Sequence, residues 1–196
     1  MEKFFNIKCR YSNLIPNCVV LVASIRALKL HGGGPKVDPG TPLPIEYSTE
    51  NLELVRKGCA NLIRHIQNSN KFGVPVVVAL NKFSKDTQSE IDLVVQIAKE
   101  NGAFDAVLTE NWEKGGEGGA QLAQAVVNAT NQENKKEFKF LYELNEPIEE
   151  KIRAIAQKIY SAQDIKLSEL AQKKIDILKK QVNFYMFFKK INNTKL

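Results

Sequence analysis

The chain has 196 residues, of which 43% are hydrophobic and 26% are charged, a balance typical of a globular domain with its own core. Its net charge is +6, but residues 182–196 hold three lysines and no acid, so the rest of the chain is only mildly basic. This charge argues against a dedicated nucleic-acid-binding protein and weakly favours an anionic ligand. No apolar run reaches the roughly 20 residues of a membrane span, so we expect no membrane partner.

Three short apolar runs rich in β-branched residues predict strands, and helical spacing of apolar residues predicts helices elsewhere. The strands are predicted over 18–23, 74–80 and 104–108, and the helices from a cap at Ser48 or Thr49 to about Asn68 and over 86–101, 120–130, 147–161 and 168–181. Residues 24–30 either extend the first strand or turn away from it. This alternation predicts an α/β fold, with right-handed crossovers and a parallel sheet flanked by helices.

A polar or glycine-rich loop follows each predicted strand. The loops cover residues 31–35, 81–86 and 112–119. Ligands of open α/β sheets bind at the carboxyl ends of the strands. If the three strands are neighbours, we therefore expect the three loops to converge on a ligand.

The loop after the central strand contains Asn81-Lys82-x-x-x-Asp86, which is two residues longer than the Asn-Lys-x-Asp motif with which GTPases read a purine. It is either a ligand-facing loop or an ordinary loop before a helix, because the following Thr-x-x-Glu pattern is typical of a capping box. Phe83 is either a core plug or an aromatic platform on which a ligand stacks.

The third loop combines the only tryptophan, Trp112, with a run of glycines. A lone tryptophan usually lies in a core, but the polar neighbours of Trp112 favour a mobile aromatic that binds a planar heterocycle. Backbone N–H groups of Gly115, Gly116 and Gly118 can face an anion before the next helix, although glycine runs are often only flexible.

The first loop, 31–35, breaks any regular element through its three glycines and its proline. His31 is either an ordinary loop histidine or, with Gly32 and Gly33, a ligand contact. Neither histidine has Cys, Asp or Glu partners at metal-ligand spacing, and the cysteines form no C-x-x-C pair, so we expect no metal site. Unpaired cysteines and the lack of a signal peptide favour the cytoplasm, with the mitochondrion as the alternative.

Longer motifs surround these loops. They are Glu2-Lys-Phe-Phe-Asn-Ile-Lys-Cys-Arg10, Val19-Val-Leu-Val-Ala23, Arg26-Ala-Leu-Lys-Leu-His-Gly-Gly-Gly-Pro35, Phe72-Gly-Val-Pro-Val-Val-Val-Ala-Leu-Asn81, Asp86-Thr87, Trp112-x-x-Gly-Gly-Glu-Gly-Gly119, Phe140-Leu-Tyr142 and Lys151 to Tyr160. Together they resemble the formate–tetrahydrofolate ligase family, also called 10-formyltetrahydrofolate synthetase, over residues 2–181. We therefore expect a partial ligase domain at 1–181 and an unmatched tail at 182–196.

The resemblance implies that ATP drives the formylation of tetrahydrofolate by formate, through formyl phosphate, to 10-formyltetrahydrofolate in one-carbon metabolism. It implies a P-loop NTPase-like α/β core, Mg²⁺ bound with ATP, and a homo-oligomer. It also implies that Phe83 and Trp112 sandwich the pterin, in agreement with the stacking interpretation of both side chains.

The phosphate-binding pattern G-x-x-x-x-G-K-[ST] does not occur in the sequence. The resemblance places that loop upstream of the matched part, so we expect this chain to be a central, catalytically incomplete piece of the ligase. Its catalytic residues stay unassigned. The alternatives are a non-catalytic folate- or nucleotide-binding module and a small basic interaction protein.

Overall fold

A computed structural model describes residues 16–38, 40–131 and 137–192, the stretch 182–192 by its backbone alone. The strands are β1 (Val19–Ala23), β2 (Val76–Asn81) and β3 (Asp105–Thr109). The helices are α1 (Ile25–His31), α2 (Leu52–Asn70), α3 (Gln88–Glu100), α4 (Asn111–Lys114), α5 (Ala120–Thr130), α6 (Ile148–Tyr160) and α7 (Glu169–Asn192), and two 3₁₀ turns span Ile45–Tyr47 and Glu117–Gly119. The chain forms two compact units that divide between Lys139 and Phe140.

The strands of the first unit form one parallel sheet in the order β1–β2–β3. Ala23 pairs with Leu80, and Asn81 pairs with Thr109, so all three strands end on the same side of the sheet. We call this side the carboxyl edge. The predicted α/β class, with a parallel sheet flanked by helices, is confirmed, and the arrangement is consistent with an NTPase-like fold.

The central strand β2 is buried on both faces. Val76 and Leu80 belong to the main core, which they share with apolar residues of α1, α2 and α3. On the opposite face Val77 packs with Ala125 and Ala129 of α5. This double coverage explains why the sequence of β2 is an uninterrupted apolar run without polar alternation.

Helices α1 and α2 approach each other backbone to backbone. A Cβ at Gly58 would lie 1.8 Å from the Leu28 carbonyl oxygen, and a Cβ at Gly32 would lie 2.0 Å from the Leu54 carbonyl oxygen. No other residue type fits at either position without moving a helix. Gly32, which the sequence suggested as a ligand contact, therefore has a packing role.

Helix α2 begins later than predicted. Asn51, rather than Ser48 or Thr49, accepts a hydrogen bond from the Leu54 N–H and caps the helix. The hydroxyl groups of Ser48 and Thr49 donate instead to the Ile45 carbonyl oxygen, since both residues close the preceding 3₁₀ turn. The prediction of a cap at Ser48 or Thr49 is therefore wrong, because local side chain–backbone hydrogen bonds compete for the same hydroxyls.

Two other boundaries are also set by local features. Residues 24–30 turn away from β1, because Ser24 accepts a hydrogen bond from the Ala27 N–H and starts α1. The prediction that the last helix ends near Gln181 is wrong, since α7 continues to Asn192. Residues 182–192 contain neither glycine nor proline, so this stretch has no strong helix-stop signal.

The second unit consists mainly of α6 and α7, which an ion pair connects. The ammonium of Lys179 in α7 donates to a carboxylate oxygen of Glu149 in α6. Ile175 of α7 is buried. In contrast, Ile152 and Ile155, which belong to the predicted apolar face of α6, are more than a third exposed. Among the described side chains this unit has a small core.

An ion pair between Lys29 of α1 and Glu90 of α3 lies inside the first unit. Lys29 Nζ is 2.7 Å from Glu90 Oε1, and the two side chains are 1% and 0% exposed. The ammonium also donates to the Thr49 carbonyl oxygen, and the Asn51 N–H donates to Glu90 Oε1, each at 2.7 Å. Glu90 further accepts from the Thr87 N–H in the predicted capping box of α3. The pair thus fixes the ends of three helices relative to one another.

Removing the charge of Lys29 should destabilise the protein strongly. In Lys29→Met the Glu90 carboxylate loses its buried counter-ion, so we expect the free energy of unfolding to fall by about 3–5 kcal/mol. The matched control is Lys57→Met, which breaks the exposed pair with Glu53 and should cost less than about 1 kcal/mol. Urea unfolding followed by circular dichroism measures both values. Equal losses would show that the interior pair is no more important than a surface pair.

Candidate functional site

Side chains as well as backbone join β2 to β3 at the carboxyl edge. The Thr109 hydroxyl donates to Asn81 Oδ1 at 2.6 Å, and the Lys82 N–H donates to the Thr109 carbonyl oxygen at 3.0 Å. The side-chain oxygen of Asn81 is thus engaged within the edge, although the residue is exposed. These bonds fix the direction in which the chain leaves both strands.

Glu110, the first residue after β3, binds two lysines. Its Oε1 accepts from Lys82 Nζ at 2.8 Å, and its Oε2 accepts from Lys114 Nζ at 2.6 Å. These hydrogen bonds, that of Lys114 first, lower the pKa of Glu110 from 4.5 to about 2. Sequence reasoning passed over Glu110, although an acid directly after a strand and four residues before a lysine was a readable signal.

Phe83 lies in a tight loop with its ring partly in solvent. Its N–H donates to Asp86 Oδ2 at 2.8 Å, and its carbonyl oxygen accepts from the Asp86 N–H at 3.0 Å. The side chain is 40% exposed, and the guanidinium carbon of Arg26 lies 3.8 Å from the ring centroid. Phe83 is therefore no core plug, since one ring face carries a cation–π contact. Burial raises the pKa of Asp86 above its ordinary value.

Trp112 lies in α4, a helix of one turn, and is 97% exposed. The N–H groups of Glu113 and Lys114 donate to the Glu110 carbonyl oxygen, so Glu110 starts the turn that carries the indole. Tryptophan is usually well buried in folded proteins, and a core role is excluded here. The exposed indole is available to a ligand at the carboxyl edge.

The glycine run after Trp112 folds back onto Glu110. The Glu110 N–H donates to the Gly118 carbonyl oxygen at 3.1 Å, and a Cβ at Gly118 would lie 2.5 Å from the Glu110 carbonyl group. Gly115 has φ 58° and ψ −137°, a conformation that other residues avoid. At these two positions, glycine allows a close approach and a turn.

The expected anion cradle before α5 is smaller than the glycine run suggested. The Gly119 N–H donates to the Gly116 carbonyl oxygen, and the Ala120 N–H donates to the Glu117 carbonyl oxygen. These two donors are therefore used within the 3₁₀ turn. A ligand contact from Gly115, Gly116 or Gly118 stays a prediction.

The first predicted loop does not start at the end of β1, because α1 lies between them. His31 is the exposed last residue of α1, and Gly33, at φ 101°, has no atom near the position of a Cβ. Arg26, one residue into α1, is the part of this connection that reaches the Phe83 loop. Contacts link the loops after β2 and β3, whereas ligand contacts from His31, Gly32 and Gly33 stay predictions.

The remaining reactive groups add little to this site. Cys18 and Cys59 are free thiols, and burial raises both pKa values, that of Cys59 to about 11. In the described part of the chain, no three or more His, Cys, Asp or Glu side chains form a group that could hold a metal ion. None of the helices within the described ranges is long and apolar enough to cross a membrane.

A family model for formate–tetrahydrofolate ligase matches residues 1–188. The chain belongs to this family. It is 59% identical to the mouse mitochondrial monofunctional C1-tetrahydrofolate synthase over 176 residues, which cover 90% of the chain and 18% of that protein. It is 56% identical to the human cytoplasmic C-1-tetrahydrofolate synthase over 181 residues, which cover 92% of the chain and 19% of that protein. The chain thus spans less than a fifth of the length of these relatives.

Membership of the ligase family confirms the resemblance carried by the sequence motifs. The match enters the stretch 182–196, in which no family motif was found, and the predicted domain boundary after residue 181 stays a prediction. The same family occurs in both compartments suggested by the sequence, since similar relatives are named cytoplasmic and mitochondrial.

The lowered pKa of Glu110 in this ligase-family chain yields a prediction about pH. A carboxyl group whose pKa is depressed in the folded state stabilises that state above its ordinary pKa of 4.5, and the contribution is lost as the pH falls towards about 2. We expect Lys114→Met to raise the pKa of Glu110 towards 4.5, and more than Lys82→Met does. Carbon-13 NMR titration of the Glu110 carboxyl group measures this. An unchanged pKa in both variants would mean that neither lysine binds the carboxylate in solution.

Two glycines of the third loop should respond differently to alanine. Gly118→Ala places a Cβ 2.5 Å from backbone atoms of Glu110, so we expect a loss of about 1–3 kcal/mol in the free energy of unfolding. Gly116→Ala meets open space at helical dihedrals and should stay within about 0.5 kcal/mol of the original chain. Urea unfolding followed by circular dichroism compares the two. A neutral Gly118→Ala would contradict the close packing on Glu110.

Proposed function

We propose that this chain supplies the folate-binding side of an enzyme that uses ATP to join formate to tetrahydrofolate, giving 10-formyltetrahydrofolate. The observation that carries the proposal is the pair of exposed aromatic side chains, Phe83 and Trp112, on two linked loops at the carboxyl edge. Ligands of open α/β sheets bind at this edge. The family name, formate–tetrahydrofolate ligase, supports the same substrates.

Stacking is the role that we assign to Phe83 and Trp112. The pterin of tetrahydrofolate is a flat heterocycle, and an aromatic pair gains about 0.5–1.5 kcal/mol beyond the area that it buries. Arg26 covers one face of the Phe83 ring, so the pterin would stack on the other face or on the guanidinium itself. Trp112, which is almost fully exposed, would cover the opposite side of the pterin.

In the proposed reaction ATP transfers a phosphoryl group to formate, which gives formyl phosphate and ADP. Tetrahydrofolate then takes the formyl group and phosphate is released. The two aromatic side chains would hold the pterin and keep water from its faces. Because the sequence lacks the G-x-x-x-x-G-K-[ST] pattern, we place the ATP phosphates outside residues 1–196. Mg²⁺ at such sites combines one or two carboxylates with phosphate oxygens, so it would bind together with the nucleotide.

A cytoplasmic location and a homo-oligomeric state are part of this proposal. Free thiols at Cys18 and Cys59 agree with a reducing compartment. Fractionation of cells that express the chain tests the location, with the mitochondrion as the alternative outcome. Light scattering on the purified chain tests the oligomer, and a monomeric mass would contradict it.

The second candidate is a non-catalytic module that binds folate or a nucleotide. The missing phosphate-binding pattern favours it, because binding of a pterin needs no ATP phosphate cradle. A chimaera separates the two functions. In it, residues 1–181 replace the matching segment of the human cytoplasmic C-1-tetrahydrofolate synthase. Formation of 10-formyltetrahydrofolate by the chimaera supports the ligase, and tetrahydrofolate binding without turnover supports the module. The 196-residue chain alone should form no product.

Trp112→Ala in this chimaera should weaken the binding of tetrahydrofolate and leave that of formate nearly unchanged. We expect the KM for tetrahydrofolate to rise roughly tenfold, since a stacking contact of about 1–1.5 kcal/mol and its buried area are both lost. The KM for formate should change much less. Steady-state kinetics with each substrate varied in turn provides the measurement.

The control for Trp112→Ala is Tyr160→Ala, which removes another exposed aromatic side chain, from α6 of the second unit. It should leave both KM values unchanged. Equal losses for formate and tetrahydrofolate in Trp112→Ala would mean that Trp112 supports the fold, and the stacking role would be wrong.

A further inference from the structure

The two aromatic side chains of the proposed folate site have little packing of their own to hold them. Trp112 is 97% exposed, and its helix α4 has four residues, too few to be stable without tertiary contacts. Phe83 lies on a different loop and is 40% exposed. Something other than core packing must therefore set the separation of the two rings.

Glu110 is the residue that contacts both loops. Its Oε1 binds Lys82 at 2.8 Å, and Lys82 directly precedes Phe83. Its Oε2 binds Lys114 at 2.6 Å, and Lys114 is the last residue of the helix that carries Trp112. Each carboxylate oxygen therefore holds one of the two loops.

The backbone of Glu110 is fixed as well. Its carbonyl oxygen accepts from two N–H groups of α4, and its own N–H donates to the Gly118 carbonyl oxygen. Gly118 also lies so close that any side chain would strike Glu110. Both ends of the loop that contains Trp112 are thus anchored to one residue.

The environment strengthens the contact of Glu110 with Lys82 more than its contact with Lys114, whose side chain is 51% exposed. The side chain of Glu110 is 19% exposed and that of Lys82 is 35% exposed, whereas the surface pair of Lys57 and Glu53 is 62% and 77% exposed. Pairs that are partly shielded from water are screened less than such surface pairs. Without the carboxylate, the ammonium groups of Lys82 and Lys114 would repel each other, and the backbone bond of Lys82 with Thr109 would remain to join the two loops.

We propose that Glu110 is a positioning residue, whose carboxylate joins the loop of Phe83 to the helix of Trp112 and so sets the spacing of the two stacking side chains. The proposal rests on the proposed function, because it gives Glu110 a role towards the same pterin. Glu110 touches the lysines and acts on the ligand only through the two aromatic side chains.

The first experiment uses the 196-residue chain without ligand. Trp112 is the only tryptophan, so time-resolved fluorescence anisotropy reports on α4 alone. Glu110→Gln should increase the amplitude of fast indole rotation, and Glu110→Asp should restore part of the original value. The matched control is Glu113→Gln, which removes the same charge at a neighbouring position, inside the short helix that carries Trp112, and should have no effect. An equal response in the Glu110 and Glu113 variants would overturn the proposal.

The second experiment measures tetrahydrofolate dissociation constants and melting temperatures of the same variants by calorimetry. Glu110→Gln should raise the dissociation constant for tetrahydrofolate about threefold to tenfold, as expected for the loss of one or two ion pairs. Glu110→Gln also removes two ion pairs that stabilise the folded chain, so we expect the melting temperature to fall as well. Well below that temperature, where the variant is still folded, a merely structural role would leave the dissociation constant for tetrahydrofolate unchanged. Loss of folding without a selective effect on tetrahydrofolate would overturn the proposal.

A double-mutant cycle with Lys82→Met tests how Glu110 acts. If Glu110 acts through Lys82, the double variant should bind tetrahydrofolate no worse than Glu110→Gln alone. Additive losses would overturn the link between the loops. If the original chain fails to bind tetrahydrofolate, the proposed function is wrong and the role of Glu110 in folate binding is wrong with it. The anisotropy comparison still decides separately whether Glu110 orients Trp112.

Discussion

The buried ion pair of Lys29 and Glu90 is the constraint on which the carboxyl edge of the first unit depends. An interior ion pair is tolerated only when both ions keep good partners, and here the pair connects α1 to the first turn of α3. The Asn51 N–H, at the start of α2, binds the same carboxylate. Three helix ends therefore meet at fixed positions near the carboxyl edge. The contact of Arg26 with Phe83 depends on this geometry, because Arg26 belongs to α1 and Phe83 to the loop before α3.

The candidate site is held differently from the core. In the core, apolar side chains are fixed by burial on both faces of β2. At the carboxyl edge, the side chains of Phe83 and Trp112 stay exposed, and hydrogen bonds to charged groups hold the loops that carry them. Such a design keeps aromatic faces available to a flat ligand. It also places the stabilising charges, above all Glu110, beside the position that we propose for the ligand.

The glycines of this fold have two different structural roles, close approach of backbones and an unusual backbone conformation. Gly58 and Gly32 let two helices touch, and Gly118 lets the third loop pack on Glu110. At all three positions the lack of a side chain allows two backbones to approach closely. Gly115 supplies a dihedral region that other residues avoid. From the sequence, Gly32, Gly115 and Gly118 were as compatible with flexible or ligand-binding loops. The distinction depends on what lies opposite each glycine, which is a long-range property.

The sequence by itself determined the α/β class, the three strands, the longer helices, the family, and the two aromatic side chains worth testing. These follow from periodicity and short motifs, which are local properties of the chain. Only the tertiary structure decided that Phe83 and Trp112 are exposed, that Glu110 links their loops, and that Arg26 lies on Phe83. It also decided that Lys29 is an interior ion, which no local pattern distinguishes from a surface lysine. The reason is that a charge or a ring acquires its role from partners distant in sequence, and the fold alone brings those partners together.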